Sequence, residues 1–215
     1  MSASQKQESF REKLLSWYKK NGRSFSWRHT KNPFHILVAE FLLRKTQADR
    51  VAIVYDNFCS KYQKPQDMLE ANPIEIEENL KGLGLQQRIR WLLETCEQLV
   101  KYYQGRVPST YESLCELKGV GSYTANMILC LGYGQDCIPI DNNVARLVSR
   151  VFGVKRQGDT RKEREVESAL TEIKTNGKSK DISLAMLDFS ALRCRASKPD
   201  CVDCPLTIIC EYVKE

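Results

Sequence analysis

Apolar residues along this chain recur at three- and four-residue spacings, the period of helices that bury one face. Phe10, Leu14, Trp17 and Tyr18 form the first stripe, ended at Asn21-Gly22. Asn32-Pro33 places a capping amide before a proline at the first helical position, and predicts an apolar helix through about Leu43. Val51, Val54, Tyr55, Phe58 and Tyr62 make the next stripe, and Asn72-Pro73 repeats the start signal. Ile89, Leu92, Leu93, Cys96, Leu99, Val100 and Tyr103 predict a long helix closed by Gly105. Ser109 with Glu112 reads as a capping box for a short helix through Leu117. Further helices fit from about Ser122, Asp141, Thr160 and Asp181, and residues 155–165 read as a polar surface loop running into a helix. No alternating strand pattern occurs, so the expected fold is all-α with short connections.

At 215 residues the chain can bury one large core or two small ones. Its formal charge of +6 is a mild basic excess, compatible with a polyanionic partner without requiring one. The start, MSASQKQESFREK, carries no apolar leader, and no apolar run is long enough to span a bilayer. No membrane partner is expected, and a reducing compartment would keep the nine cysteines as thiols. Cys59, Cys96, Cys115, Cys130 and Cys137 lie mostly among apolar neighbours and are expected to be small buried hydrophobes.

The other four cysteines are different. Cys194, Cys201, Cys204 and Cys210 follow the spacing C-x6-C-x2-C-x5-C, which lets one stretch of chain wrap a soft metal centre. An all-cysteine 4Fe–4S cluster and a structural zinc both suit thiolates. Zinc sites usually pair two short knuckles and only one is present, at Cys201-Val202-Asp203-Cys204. Disulfides are the third possibility.

A second motif is Leu117-Lys118-Gly119-Val120-Gly121-Ser122-Tyr123-Thr124-Ala125. A helix ends, two glycines flank a valine, and a helix begins. The amides of such a start form an anion site able to grip a DNA phosphate without reading bases. Twenty residues after Gly121 stands Asp141, which either caps the helix from Asn142 or serves chemistry, or does both.

Together, LKGVGSYTA, PIDNNVARLVSRVFG and the four cysteines resemble the endonuclease III superfamily of DNA glycosylases, helix–hairpin–helix proteins with a following aspartate, from about Trp27 to Tyr212. The resemblance implies a six-helix barrel over residues 30–137 and a second helical domain from 1–29 and 138–215 that carries a 4Fe–4S cluster on Cys194, Cys201, Cys204 and Cys210. It implies a monomer that lays double-stranded DNA with a mispaired or damaged base across the groove between the domains and flips that base. Asp141 would stabilise the cationic sugar left as the N-glycosidic bond breaks. Glu40, on an otherwise apolar helix face, would have a raised pKa and hand a proton or hydrogen bond to the leaving base; its plainer role is an ion pair with Arg44. The segment LVAEFLLRKTQ resembles MutY-type adenine glycosylases and their thymine-mismatch relatives.

Residue 123 bears on reaction class. Bifunctional members of the superfamily carry a lysine there that forms a Schiff base; a phenol cannot, so Tyr123 implies base release without strand cutting. Tyrosine resembles the G·T-mismatch thymine glycosylases, whereas MutY-type enzymes typically carry serine. Gly119, Val120 and Gly121 would hold phosphate, Leu85 or Gln86 would wedge into the stack, and Arg44 and Lys45 would reach the orphan guanine. Basic residues Arg193, Arg195 and Lys198 of the cysteine loop would meet phosphates. The expected activity is removal of thymine or uracil opposite guanine; the alternatives are an adenine glycosylase, disfavoured because only five residues follow Cys210, and a catalytically silent DNA-binding protein. The expected location is the cytoplasm, at the nucleoid, in a prokaryote and the nucleus in a eukaryote.

Overall fold

The structure, a computed structural model, describes residues 2–81, 83, 86–155, 164–171, 173 and 178–214. Among these residues the α-helices are α1 (Ala3–Asn21), α2 (Pro33–Leu43), α3 (Ala48–Lys61), α4 (Pro65–Glu70), α5 (Pro73–Asn79), α6 (Gln86–Tyr103), α7 (Tyr111–Cys115), α8 (Ser122–Gly132), α9 (Asn142–Phe152), α10 (Arg164–Thr171) and α11 (Ser179–Leu192). No strand occurs among them, and the fold is all-α. The chain divides into two compact units, one of residues 24–133 and one of residues 1–23 with 134–215.

In the 24–133 unit, α2 is the central element. Asn32 accepts the Phe34 N–H at 3.0 Å and Pro33 occupies the first turn, so the helix starts where both residue types favour it. Phe34 and every residue from Ile36 to Leu42 are buried, and the helix packs against α3, α6 and α8. A helix apolar all round belongs inside; Glu40 is its one charged residue. Trp27 is buried in the same unit, stacked on Phe25 at 4.5 Å and edge-on to Tyr55 at 5.2 Å.

In the other unit, α1 packs on α11, and α11 and α10 pack on α9. Phe10, Leu14, Leu147, Val148, Val151, Met186 and Phe189 form its core. The buried Asp188 carboxylate takes the Arg23 backbone N–H at 2.7 Å and its Nε at 2.8 Å. A buried carboxylate needs such partners.

Several sequence expectations shift. Thr110, not Ser109, caps α7, accepting the Ser113 N–H at 3.4 Å; the helix therefore starts one residue later than the Ser109–Glu112 box implies. Gly22 ends α1 in an extended conformation, φ −62°, and is required by crowding, since a Cβ there would lie 2.6 Å from the Tyr18 ring. The helix expected from Thr160 is described only from Arg164, and Thr160 with most of the 155–165 loop lies outside the described residues. Among the isolated cysteines, Cys59, Cys96 and Cys130 are buried, but Cys115 is exposed on the short α7 and Cys137 is half-buried after α8. None of the nine cysteines is in a disulfide.

Candidate functional site

The helix–hairpin–helix is built from α7, the turn 116–121 and α8. Leu117 and Val120 are buried and anchor the turn, which the Val120 N–H closes onto the Leu117 carbonyl at 3.0 Å. Gly119 sits at φ +73°, and a Cβ there would press on the Phe41 ring at 3.2 Å. Conformation and space both demand glycine. Side chains hold the turn from behind: Thr95 Oγ1 shares its proton between the Lys118 carbonyl at 2.6 Å and the Trp91 carbonyl at 2.7 Å, and the Lys118 N–H donates to Gln98 Oε1 at 2.6 Å. Gly121 is exposed and begins α8 with no side-chain cap. Gly121 itself brings no capping oxygen to that first turn, the place where an anion can sit at a helix start. Val120 contributes by anchoring, because its side chain is buried and its N–H is already used. Tyr123 is the second residue of α8 and half-buried. The Lys118 ammonium lies 3.9 Å from Glu94.

Glu40 is 4 % exposed on α2. Its charge acts on Arg44, one turn on: burial pulls the Arg44 pKa down, Glu40 pulls it up, and Arg88 pushes it down further. Arg44 points back into its own unit, donating Nη2 to the Gly119 carbonyl and stacking its guanidinium over Phe41 at 4.3 Å. The exposed Lys45 follows at φ +52°. Gln86 opens α6 at the surface, while Leu85, the other wedge candidate, lies outside the described residues.

In the other unit Asp141 caps α9. Its Oδ1 accepts the Asn143 and Val144 N–H groups at 2.9 and 2.8 Å, and its Oδ2 accepts the Asn143 amide at 2.7 Å. The carboxylate is therefore fixed on both oxygens. Asn143 Oδ1 in turn accepts Arg146 Nη1 at 3.0 Å, and Arg146 binds the Cys194 carbonyl at 3.2 Å and the Ser190 carbonyl at 3.1 Å. One turn on, Arg150 reaches Cys194 Sγ at 3.5 Å and the Arg195 carbonyl at 2.7 Å. Asn143, Arg146 and Arg150 escaped the sequence reading. Their i, i+3, i+7 spacing marks one helix face, but the acceptors of the two arginines are mostly main-chain carbonyls 44 to 48 residues on, which leave no signal.

Cys194, Cys201, Cys204 and Cys210 line one cavity, whose walls also include the apolar Leu147, Val151 and Phe189 and the charged Arg150 and Asp200. The loop between the first two is closed by the Asp200 N–H on the Arg193 carbonyl at 3.0 Å. Burial, then the nearby Cys204 and Cys194, push the Cys201 thiol up against the pull of Arg150. Burial likewise raises the Cys210 thiol. All four thiols thus share one lining, although among the described residues no group of three or more His, Cys, Asp or Glu forms a ready-made metal site. Arg193 is committed within the loop, to the Val202 carbonyl and, at 3.8 Å, to Asp200, whereas Arg195 and Lys198 are exposed. Among the described residues no helix is long and apolar enough to cross a membrane.

A turn of this kind is the signature element of one class of repair protein, and the chain belongs to it: residues 38–174 match the HhH-GPD superfamily of base excision DNA repair proteins. The matched stretch holds Glu40, the hairpin and Asp141, and the four cysteines follow it. Over 215 residues the chain is 33% identical to the thymine/uracil-DNA glycosylase of Methanothermobacter thermautotrophicus, covering 100% of this chain and 97% of that protein. It is 37% identical over 210 residues to the thymine-DNA glycosylase of Aeropyrum pernix, covering 95% and 94%. The solved structure of a thermostable thymine-DNA glycosylase matches with a TM-score of 0.92 at 34% identity, covering 100% of this chain and 99% of that one.

Proposed function

We propose that this DNA glycosylase removes thymine or uracil mispaired with guanine from double-stranded DNA by hydrolysis, acting as a monomer and leaving the strand uncut at an abasic site. The observation that carries the reading is the anchoring of Asp141, with one oxygen on two backbone amides and the other on Asn143. The target nucleotide leaves the stack. The bond from C1′ to the base breaks with its electron pair going to the base, and the sugar becomes an oxocarbenium ion. A carboxylate that need not reorganise stabilises that cation, and this is where electrostatic catalysis is strongest. Water adds to C1′ and loses a proton, while the departing base gains one. Glu40 supplies the hydrogen bond or proton to the base. Tyr123 stands where an amine would be needed to capture the sugar, so the product stays a hydrolytic one. The names of the similar proteins favour thymine and uracil over adenine.

Gly119 and Gly121 let a phosphate approach the start of α8, and Gln86 or Leu85 fills the space the base leaves. The four cysteines are read as ligands of a 4Fe–4S cluster. Four thiols lining one cavity fit a cluster of this kind, which takes four thiolate ligands. When bound, the cluster supplies four thiolate cross-links to the 194–210 segment; Arg195 and Lys198 of that segment are left to meet phosphate. Its work places the protein in whichever compartment holds the DNA.

The test is a panel of labelled duplexes carrying G·T, G·U, adenine opposite 8-oxoguanine, and an oxidised pyrimidine, read with and without alkali. Breaks at G·T and G·U that need alkali are expected. Breaks without alkali, or only in the adenine duplex, would overturn the reading. Iron and sulfide analysis tests the cluster, and a colourless, zinc-loaded protein would refute it.

A further inference from the structure

The 24–133 unit uses Arg44 in a way that conflicts with a DNA-reading role. Its Nη2 is shared between the Gly119 carbonyl and, at 3.4 Å, Thr124 Oγ1, one acceptor on each side of the start of α8. Its flat face lies on Phe41, the same ring that a Cβ at Gly119 would strike. Its backbone is held as well: Arg88 Nη1 donates to the Arg44 carbonyl, to the Leu42 carbonyl at 3.4 Å and to Thr46 Oγ1 at 2.9 Å. The Leu42 carbonyl near the end of α2 and the carbonyl of its C-cap Arg44 are thereby satisfied from α6.

From these contacts we infer that Arg44 is a positioning residue that fixes the hairpin to the helix bearing Glu40. Three inward groups of the turn are taken by side chains: the Lys118 N–H by Gln98, the Lys118 carbonyl by Thr95, and the Gly119 carbonyl by Arg44. The first two come from α6. Arg44 alone in this set comes from the C-terminal end of α2, as its C-cap. It thus sets the spacing between Glu40 and the amides proposed to grip phosphate, where an error of about 1 Å costs on the order of a hundredfold in rate. A stacked guanidinium with a shared donor suits this task better than a mobile lysine.

The catalytic consequence rests on the proposed function; the structural claim does not, and it is tested without DNA. In Arg44→Met, hydrogen exchange of the free protein over residues 119–124 is expected to speed up about tenfold or more, the effect of losing a hydrogen bond from a charged donor. Exchange in the α3 region is expected to stay as it was. A residue that only contacts DNA would leave the free protein unaltered, so unchanged exchange in folded Arg44→Met overturns the inference. If that variant fails to fold, Arg44→Lys decides: faster exchange at 119–124 by about threefold supports the inference, and equal protection refutes it. With a mismatched duplex, single-turnover base release is expected to slow while the preference for guanine opposite the target is kept; selective loss of that preference would make Arg44 a reader of the orphan base instead.

Discussion

The starts of α8 and α9 have almost the same backbone. Gly121 lies at φ −104°, ψ 178° and Asp141 at φ −104°, ψ 179°. One residue brings a carboxylate that folds back onto its own helix; the other brings nothing. Gly121 has no conformational need to be glycine, since its angles suit any residue, and a Cβ there would meet no atom within 4 Å. Nothing among the described residues explains the choice. Under the proposed function a phosphate from outside would, because it would take the place that Asp141 fills for itself at the next helix. Gly119, two residues earlier, is the opposite kind of glycine, required by its own φ of +73° and by Phe41.

The comparison breaks most sharply at Asp141. Asp141→Asn is expected to cut single-turnover base release by about a hundredfold to a thousandfold. Asparagine caps a helix about as well as aspartate, so the urea midpoint should barely move. Undiminished base release would remove Asp141 from the chemistry. Next comes the transplant Gly121→Asp, which gives α8 the self-cap of α9. Affinity for a duplex bearing a stable abasic-site analogue should fall about tenfold or more, since the new carboxylate occupies and repels the anion site. Stability should hold or rise by a few tenths of a kcal/mol. Unchanged binding would mean that this helix start does not hold phosphate. Gly119→Ala should reverse the pattern, with stability lower by about 1–2 kcal/mol because a Cβ is forced into the left-handed region.

The smallest effect concerns the background against which both helix starts are measured. Burial pushes the Cys59 and Cys96 thiols from 9.0 up to about 12. Between those values the unfolded chain has released protons that the folded chain keeps, so stability present below about pH 9 falls as pH rises and is lost by about 12. The fall of the unfolding free energy between pH 9 and 10.5 should be shallower in Cys96→Ala by up to about 1.4 kcal/mol per pH unit. Equal slopes would show that the folded-state thiol titrates normally.

What could be read in the sequence was local. Asn32-Pro33 marked α2 because cap and proline act within one turn, and the Asp141 cap was visible for the same reason. The glycine hairpin showed itself because positive φ and close approach admit few residue types. The direction of Arg44 could not be read: its acceptors are a carbonyl 75 residues away and a hydroxyl 80 away, and no pattern near Arg44 encodes them. Cys115 looked like its buried neighbours because α7 is short and its periodicity too brief to separate inner from outer positions. Ser109 and Thr110 are chemically equivalent caps, and only the backbone decides between them.

The pairing of Arg23 with Asp188 has a consequence for biogenesis. The stretch 24–133 is continuous and can collapse as soon as it leaves the ribosome. The segment before it cannot, since α1 needs α11, which is made more than 150 residues later. At ordinary translation speeds Phe10 and Leu14 wait on the order of 10–30 s for their partners. Throughout that interval the apolar face of α1 stands without the helix it packs on, the form in which chaperones would meet it.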